Sequence, residues 1–287
     1  MLAVYLKDLS AYFRTLTGYV FMSVFLLVSS IFFVTGNVVS ASPNYNSTLG
    51  NLLFVFILVV PILTMRSMSD EVAHKTDRLL YTAPISLTDV VLGKYFAAVT
   101  VFALTLLITC LYPLSLSFFG EIAVWEIVGG TIGIFLLGCV SIAIGIFMSS
   151  LTDNIVNAAI STFGALLAVV FIDSFRSIFP VEINPNAVFA AFLVLAVALW
   201  IYWLTRSLFA GAAVAVLGLA AVGLIYWLQP QFFQGFVFHL LGWFTVFYHF
   251  SNFKMGLLTL SSVVYYLSFV IVVLFLTVRT LEKRRWS

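Results

Sequence analysis

The chain has 287 residues, of which 63% are hydrophobic, 17% aromatic and only 8% charged. A soluble globular protein carries about 25% charged residues, so this deficit, with a mean hydropathy of +1.17, places the chain in a bilayer among membrane lipids. The net charge of +2 includes no basic run of the kind that binds nucleic acid, which excludes that partner. The two cysteines, Cys110 and Cys139, lie in apolar runs away from any second Cys or His and read as buried, unreactive thiols.

In residues 1–16, Leu2, Tyr5, Leu6, Leu9, Phe13 and Leu16 recur at helical spacing, with Lys7, Ser10 and Arg14 off that face. This predicts an amphipathic helix on the membrane surface. The apolar run behind it is too long for a signal peptide, and no small-residue cleavage site follows. Residues 18–39 form the first span, since about 20 residues at ~1.5 Å each cross a hydrocarbon core of ~30 Å. Residues 40–50 form a polar loop. Its Asn46-Ser47-Thr48 fits a glycosylation sequon, a pattern common enough by chance to carry no weight. Residues 51–65 make the second span, with Pro61 a candidate kink.

The most hydrophilic stretch follows, residues 65–89. Arg66, Asp70, Glu71, Lys75, Asp77 and Arg78 are expected in water, with Lys94 just beyond. A helix from about Ser67 would hold Asp70 and Glu71 in its first turn, where the helix dipole favours anions. Met65, Met68, Val72 and Leu79 give it an apolar side. Pro84 ends it, and Ser86 to Asp89 reads as a capping box for the next helix. The plain alternative is a solvated loop that merely joins two spans.

Residues 90–118 are the third span and 119–125 a short turn. The fourth, 126–150, is rich in small residues: Gly129 and Gly133, then Ser141, Gly145 and Ser149, fall on helix faces where they allow close contact in lipid. Residues 152–154 are a tight turn. On the fifth span, 155–172, Asn157, Ser161 and Ala165 line one side and could meet a partner helix. Residues 173–186 read as a polar loop with Arg176 and Glu182. Residues 187–204 and 208–228 form a hairpin that could be tilted or incomplete. Residues 229–262 are aromatic but broken by Gln231, Gln234, His239, Gly242, His249, Asn252 and Lys254. They read as interfacial or re-entrant helices, the alternative being one more full span. Residues 263–278 are the last span, leading into Arg279, Glu282, Lys283, Arg284 and Arg285.

About eight spans put both termini on one side. With the N-terminus inside, Lys7, Arg14, Arg66, Lys75, Arg78, Lys94, Arg206, Arg279, Lys283, Arg284 and Arg285 are cytoplasmic, and only Arg176 and Lys254 fall outside. Together these are all 13 Lys and Arg. By the positive-inside rule this bias fixes the orientation. The acids all lie at span ends or in loops, whereas ion-driven carriers usually keep ionisable groups within the bilayer. No phosphate-cradling G-x-x-x-x-G-K-[ST] loop occurs, so a nucleotide driving this protein would be bound by another chain. His74, His239 and His249 form no catalytic pattern, and none of the H-E-x-x-H, G-x-S-x-G or paired-Cys kind is present, so no enzyme activity is expected.

Three segments carry a family resemblance. The first is Lys7 to Arg14 followed by residues 17–21. The second is Met65-Arg66, Asp70-Glu71, Lys75-Thr76-Asp77, Leu79-Leu80 and Thr82-Ala83-Pro84, with residues 91–94 after it. The third is residues 247–250, Phe253, Gly256-Leu257 and residues 264–267. Their joint order resembles the permease subunits of type-2 ABC transporters, also called type V ABC exporters, and the first resembles the gliding-motility-type permeases within that family. The resemblance implies one permease domain over 1–287, with an elbow helix (1–16), a cytoplasmic coupling helix (66–89) and re-entrant helices (229–262) before the last span. The family has six spans, so the hairpin at 187–228 is an addition.

It further implies that Asp70, Glu71, Lys75, Thr76, Asp77, Leu79 and Leu80 dock on a cytoplasmic ABC ATPase, with Glu71 contacting it and Pro84 turning the chain. Lys75 and Arg78 stand where many members have Gly and Glu. Partners would be the ATPase subunits and a second permease, identical or different, met through Asn157, Ser161 and Ala165. ATP and Mg would sit in the ATPase, with no cofactor or metal in this chain. The expected function is ATP-driven export of a lipid, glycan, peptide or drug-like substrate across a prokaryotic cell membrane. The alternative is a non-transporting scaffold that recruits a cytoplasmic partner through 66–89.

Overall fold

A computed structural model describes residues 1–74, 86–118, 123–178, 180–242 and 245–286. Among them there is no strand, and eight helices are long and apolar enough to cross a membrane. The chain is an all-α polytopic membrane protein, as its composition predicts. It divides into two compact units, Met1–Val169 with Val246–Ser287, and Val170–Thr245.

The first unit opens with α1 (Leu2–Arg14) and α2 (Leu16–Phe33), whose last turns widen to a π-helix over Val34–Val39. Then come α3 (Tyr45–Thr64), the short α4 (Ser69–Ala73), α5 (Leu87–Thr109), α6 (Leu111–Leu116), α7 (Val124–Ser150) and α8 (Ile155–Ile178), whose last turns belong to the second unit. The second unit adds α9 (Ile183–Thr205), α10 (Leu208–Leu228), a 3-10 turn (Pro230–Phe233) and α11 (Phe236–Gly242). The chain returns to the first unit with α12 (Val246–Lys254) and α13 (Leu260–Trp286).

The first unit is built around α7. Its span is 67% buried, as a helix apolar on every side must be. Glycines make this possible: a Cβ at Gly138 would overlap the Phe102 ring, one at Gly145 the Thr64 hydroxyl, and one at Gly133 would stand 2.6 Å from the Cβ of Phe253. Small side chains thus let α3, α5 and α12 close on α7, and dispersion at short range replaces the hydrophobic drive that lipid lacks. The small-residue faces read from the sequence are used inside the chain. Beside them Phe25, Phe56 and Phe102 meet pairwise with centroids 5.6–6.1 Å apart, binding the first three spans edge to face.

Several element ends differ from the sequence-based expectation, each for the same reason: polar residues that read as loop are buried and bonded. Helix α3 begins at Tyr45, within the expected loop. The buried Asn46 amide donates to the carbonyls of Glu126 (2.9 Å) and Lys254 (2.8 Å). The Thr48 hydroxyl donates to Asn37 at 2.6 Å, and Asn37 to the Ser42 carbonyl at 2.8 Å. In the second unit, α8 continues through Asp173 and Arg176, so the loop expected at 173–186 shrinks to a few residues. The buried Arg176 donates from Nε to the Phe238 carbonyl (2.9 Å) and from a terminal nitrogen to the Thr245 hydroxyl (3.2 Å), with its guanidinium 3.8 Å from the Phe238 ring centre. Asn186 donates to the carbonyls of Pro180 and Glu182 and accepts from the Val237 amide at 2.9 Å.

The hairpin α9–α10 is complete, with helices of 23 and 21 residues. Arg206 turns the chain in the left-handed region at φ 53°. Between α10 and α13 the longest described helix has 9 residues, about 13 Å at ~1.5 Å per residue. No single described helix in that stretch is long enough to cross the bilayer.

Candidate functional site

The charged stretch begins where α3 ends. Its backbone is pinned by Ser149 from the last turn of α7. The fully buried Ser149 hydroxyl accepts from the amides of Met68 (3.1 Å) and Ser69 (3.2 Å) and donates to the Met65 carbonyl at 3.1 Å. Ser69 bonds back to the Met65 carbonyl with its own hydroxyl. These contacts satisfy helix-start donors that would otherwise be orphaned. The helix α4 that follows carries Asp70 and Glu71 in its first turn, where the dipole favours them.

Only one of these two acids faces solvent. Asp70 is half-buried, its side chain 44% exposed, and lies 3.3 Å from His74, one turn on. Glu71 turns inward, its side chain 16% exposed, and shares one oxygen between Lys94 at 3.0 Å and Lys7 at 3.1 Å. Lys94, on α5, is 4% exposed, and its ammonium has three partners: Glu71, Asp8 at 3.2 Å and the Ser67 carbonyl at 2.7 Å. One donor serves the Ser67 carbonyl and two carboxylates stand at ion-pair distance, so this buried charge is compensated. The sequence placed Glu71 and Lys94 in water. The structure corrects that, because the opposite charges brought by α1 and α4 make burial of Lys94 tolerable.

Helix α1 supplies Asp8. In the apolar stripe read from the sequence, Leu2 and Leu6 are exposed on the outside of the chain. A second stripe, Val4, Asp8 and Tyr12, faces inward at four-residue spacing. Val4 packs on Gly93, whose missing side chain lets the helix approach α5. The Tyr12 hydroxyl donates to the Leu63 carbonyl at 3.1 Å, and the Tyr5 hydroxyl lies 3.1 Å from that of Thr100. Burial, aided by the Asp8 carboxylate, pushes the Tyr12 phenol up and keeps it a donor. Burial would lower the Lys7 ammonium, but the charge and hydrogen bond of Glu71, helped by Asp8, hold it above its ordinary value. Beside this cluster a polar cleft of about 340 Å³ is lined by Lys7, Asp8, Arg66, Asp70, Glu71 and His74, among others.

The next span starts as expected. The Ser86 hydroxyl accepts from the Asp89 amide at 3.1 Å and donates to the Asp89 carboxylate at 2.8 Å. This is a serine cap whose third residue returns to the hydroxyl rather than to the backbone amide of the usual box. Lys75, Thr76, Asp77, Leu79, Leu80 and Pro84 lie outside the described residues.

A family model described as an ABC-2 family transporter protein matches residues 5–210, taking in α1, α4 and the clasp around Lys94. This chain belongs to the ABC-2 transporter family. Comparison with curated proteins gave no match. As an ABC-2 permease the chain is a multi-pass membrane subunit of a transporter, and membership implies association with an ABC ATPase.

On this permease the fifth span turns Asn157 outward, with Ser161 and Ala165 half-buried beside it, while Ala158, Thr162 and Leu166 pack inward. Gly164, on the same outer side, has open space where a Cβ would stand. Those residues therefore share a surface-facing side of α8. Sequence reasoning missed Asp8, Ser149 and Lys94 as site residues. Asp8 was legible only through its four-residue spacing to Val4 and Tyr12. Ser149 was legible as a small residue, but nothing local marks what its hydroxyl caps.

Proposed function

We propose that this chain is the permease of an ATP-driven exporter, in which a separate ABC ATPase docks on the segment beginning at α4 and drives export of a lipid, glycan, peptide or drug-like substrate. The observation that carries the reading is α4 itself. It is a short polar helix held between the ends of two spans, with His74 exposed and Asp70 partly so, in an ABC-2 chain whose sequence contains no nucleotide-binding loop. In this reading the segment lies on the cytoplasmic face with both termini, which agrees with the distribution of Lys and Arg, and the remaining docking residues are Lys75, Thr76, Asp77, Leu79 and Leu80. A second permease pairs through the outer side of α8. Asn157 there is costly to leave in lipid, and the small neighbours allow close approach. Membrane lipids cover the other exposed apolar faces.

The experiment is purification of the full chain from its native membrane in mild detergent, with partners identified by mass and ATP hydrolysis assayed. A stoichiometric ATPase, released by Leu80→Asp or Asp70→Arg in a chain that still folds, is the expected result. Recovery of the chain with a stoichiometric partner that is not an ATPase would move the function to a scaffold.

A further inference from the structure

We propose that Lys94 is a positioning residue of this permease: it clasps α1 to α4 so that movement of the docking segment is delivered to α1. The inference rests on the reading above, and it changes the part played by Glu71. A carboxylate shared between Lys94 and Lys7, with its side chain 16% exposed, faces into the permease. Its work is internal, and docking on the ATPase falls to the outward side of α4 and the residues after it.

The geometry is that of a hub. One ammonium holds Asp8 of α1, Glu71 of α4 and the carbonyl of Ser67 that joins α3 to α4, all within 3.2 Å. Lys7 closes a second path from α1 to Glu71. Lys94 is buried and its two carboxylates nearly so, where screening is weaker than at the surface, and losing one partner leaves a charge uncompensated. Displacing α4 therefore has to drag Asp8 with it or break the cluster. Nor is α1 otherwise loosely laid on the surface. It is seated on α5 through Val4 against Gly93 and through the Tyr5–Thr100 contact, so a pull at Asp8 moves a whole helix whose outer face, with Leu2 and Leu6, meets lipid.

The test is amide exchange on the complete complex in lipid nanodiscs, nucleotide-free and trapped with ATP and vanadate. In the wild type, ATP should change exchange in both 69–74 and 2–14. In Lys94→Met the ATPase stays bound and 69–74 still responds, while the response of 2–14 falls at least about fivefold. Lys94→Arg, which keeps the charge, should restore it. A merely structural role would lower protection in both segments without separating their responses to ATP. Either that pattern, or an unchanged response of 2–14 in Lys94→Met, overturns the proposal, as does release of the ATPase by Lys94→Met. Should Lys94→Met fail to fold, Asp8→Asn cuts the α1 arm alone and is held to the same outcomes. If the wild-type chain retains no ATPase, the reading of the preceding subsection fails instead. The clasp is then tested on the chain by itself, where Asp8→Asn should raise exchange in 69–74 about tenfold and no change there would refute it.

Discussion

One hydroxyl, that of Ser149, serves three backbone groups at the start of the charged stretch. Removing it in Ser149→Ala leaves two buried amides without their acceptor, each worth about 1–3 kcal/mol if unsatisfied. We expect amide protection at 68–74 to fall by one to two orders of magnitude, measured by exchange in detergent, with α5 unaffected. Lys7 supports a different expectation. Its ammonium is held above the ordinary 10.5, so the folded chain keeps this proton more tightly than the unfolded chain does. Its contribution is complete below 10.5 and is lost as pH rises through the raised value. The thermal destabilisation caused by Lys7→Met should therefore be constant from pH 6 to 9 and shrink only in stronger base. At this scale the sequence was partly legible. The acids of the charged stretch and the small residues of α7 could be named in advance, because type and spacing carry them. The inward turn of Glu71 and the burial of Lys94 could not, because they depend on Lys7 and Asp8 of α1, which reach them only across the fold.

Elements were legible in kind and misjudged at their ends. Apolar runs of membrane length gave each span, but buried Asn46 and Thr48 extended α3 backward, and Arg176 extended α8 forward, past the point where polarity suggested a loop. Polarity marks a loop only when the groups face water, and in these cases carbonyls and amides of other segments take them. The nitrogen of the buried Asn46, the acceptor atom of its sequon, is taken up by the carbonyls of Glu126 and Lys254. Helix α1 adds a different case: Leu2 and Leu6 of its conspicuous stripe lie outside, where a surface helix meets lipid, and the quieter Val4, Asp8 and Tyr12 face the protein. For α8 the element-scale expectation is pairing. In a chain with Cys110 and Cys139 replaced by Ser, Ser161→Cys should form a disulfide between two copies in the native membrane, seen on non-reducing gels, while Leu217→Cys on α10 should not. Equal cross-linking at both positions would point to random collision, and none at Ser161 to pairing elsewhere or to a different partner chain.

At the scale of the whole molecule each unit is tied by close packing at glycines, by an aromatic cluster and by buried polar side chains. In the first these are the glycines of α7, the rings of Phe25, Phe56 and Phe102, and residues such as Ser149 and Lys94; in the second they are Gly218 against Val194, the rings of Phe232, Phe233 and Phe236, and Arg176 and Asn186. Arg176→Met should raise amide exchange across 236–242 at least about tenfold, by analogy with the cost of unpairing buried polar groups, and leave 69–74 unchanged. A matching rise in both would show that the units unfold together. Helix α7 has a further consequence. From Leu137 to Ile146 it is buried around its full circumference, whereas nearer its start Trp125, Val128 and Ile132 are exposed along one side. A library of every single substitution in this helix, sorted for surviving protein, would therefore not yield a uniform periodic trace. Permissive and intolerant positions would alternate through the first turns and then merge into an unbroken intolerant block, so the scan would read the depth of the helix in its own protein directly from the survivors.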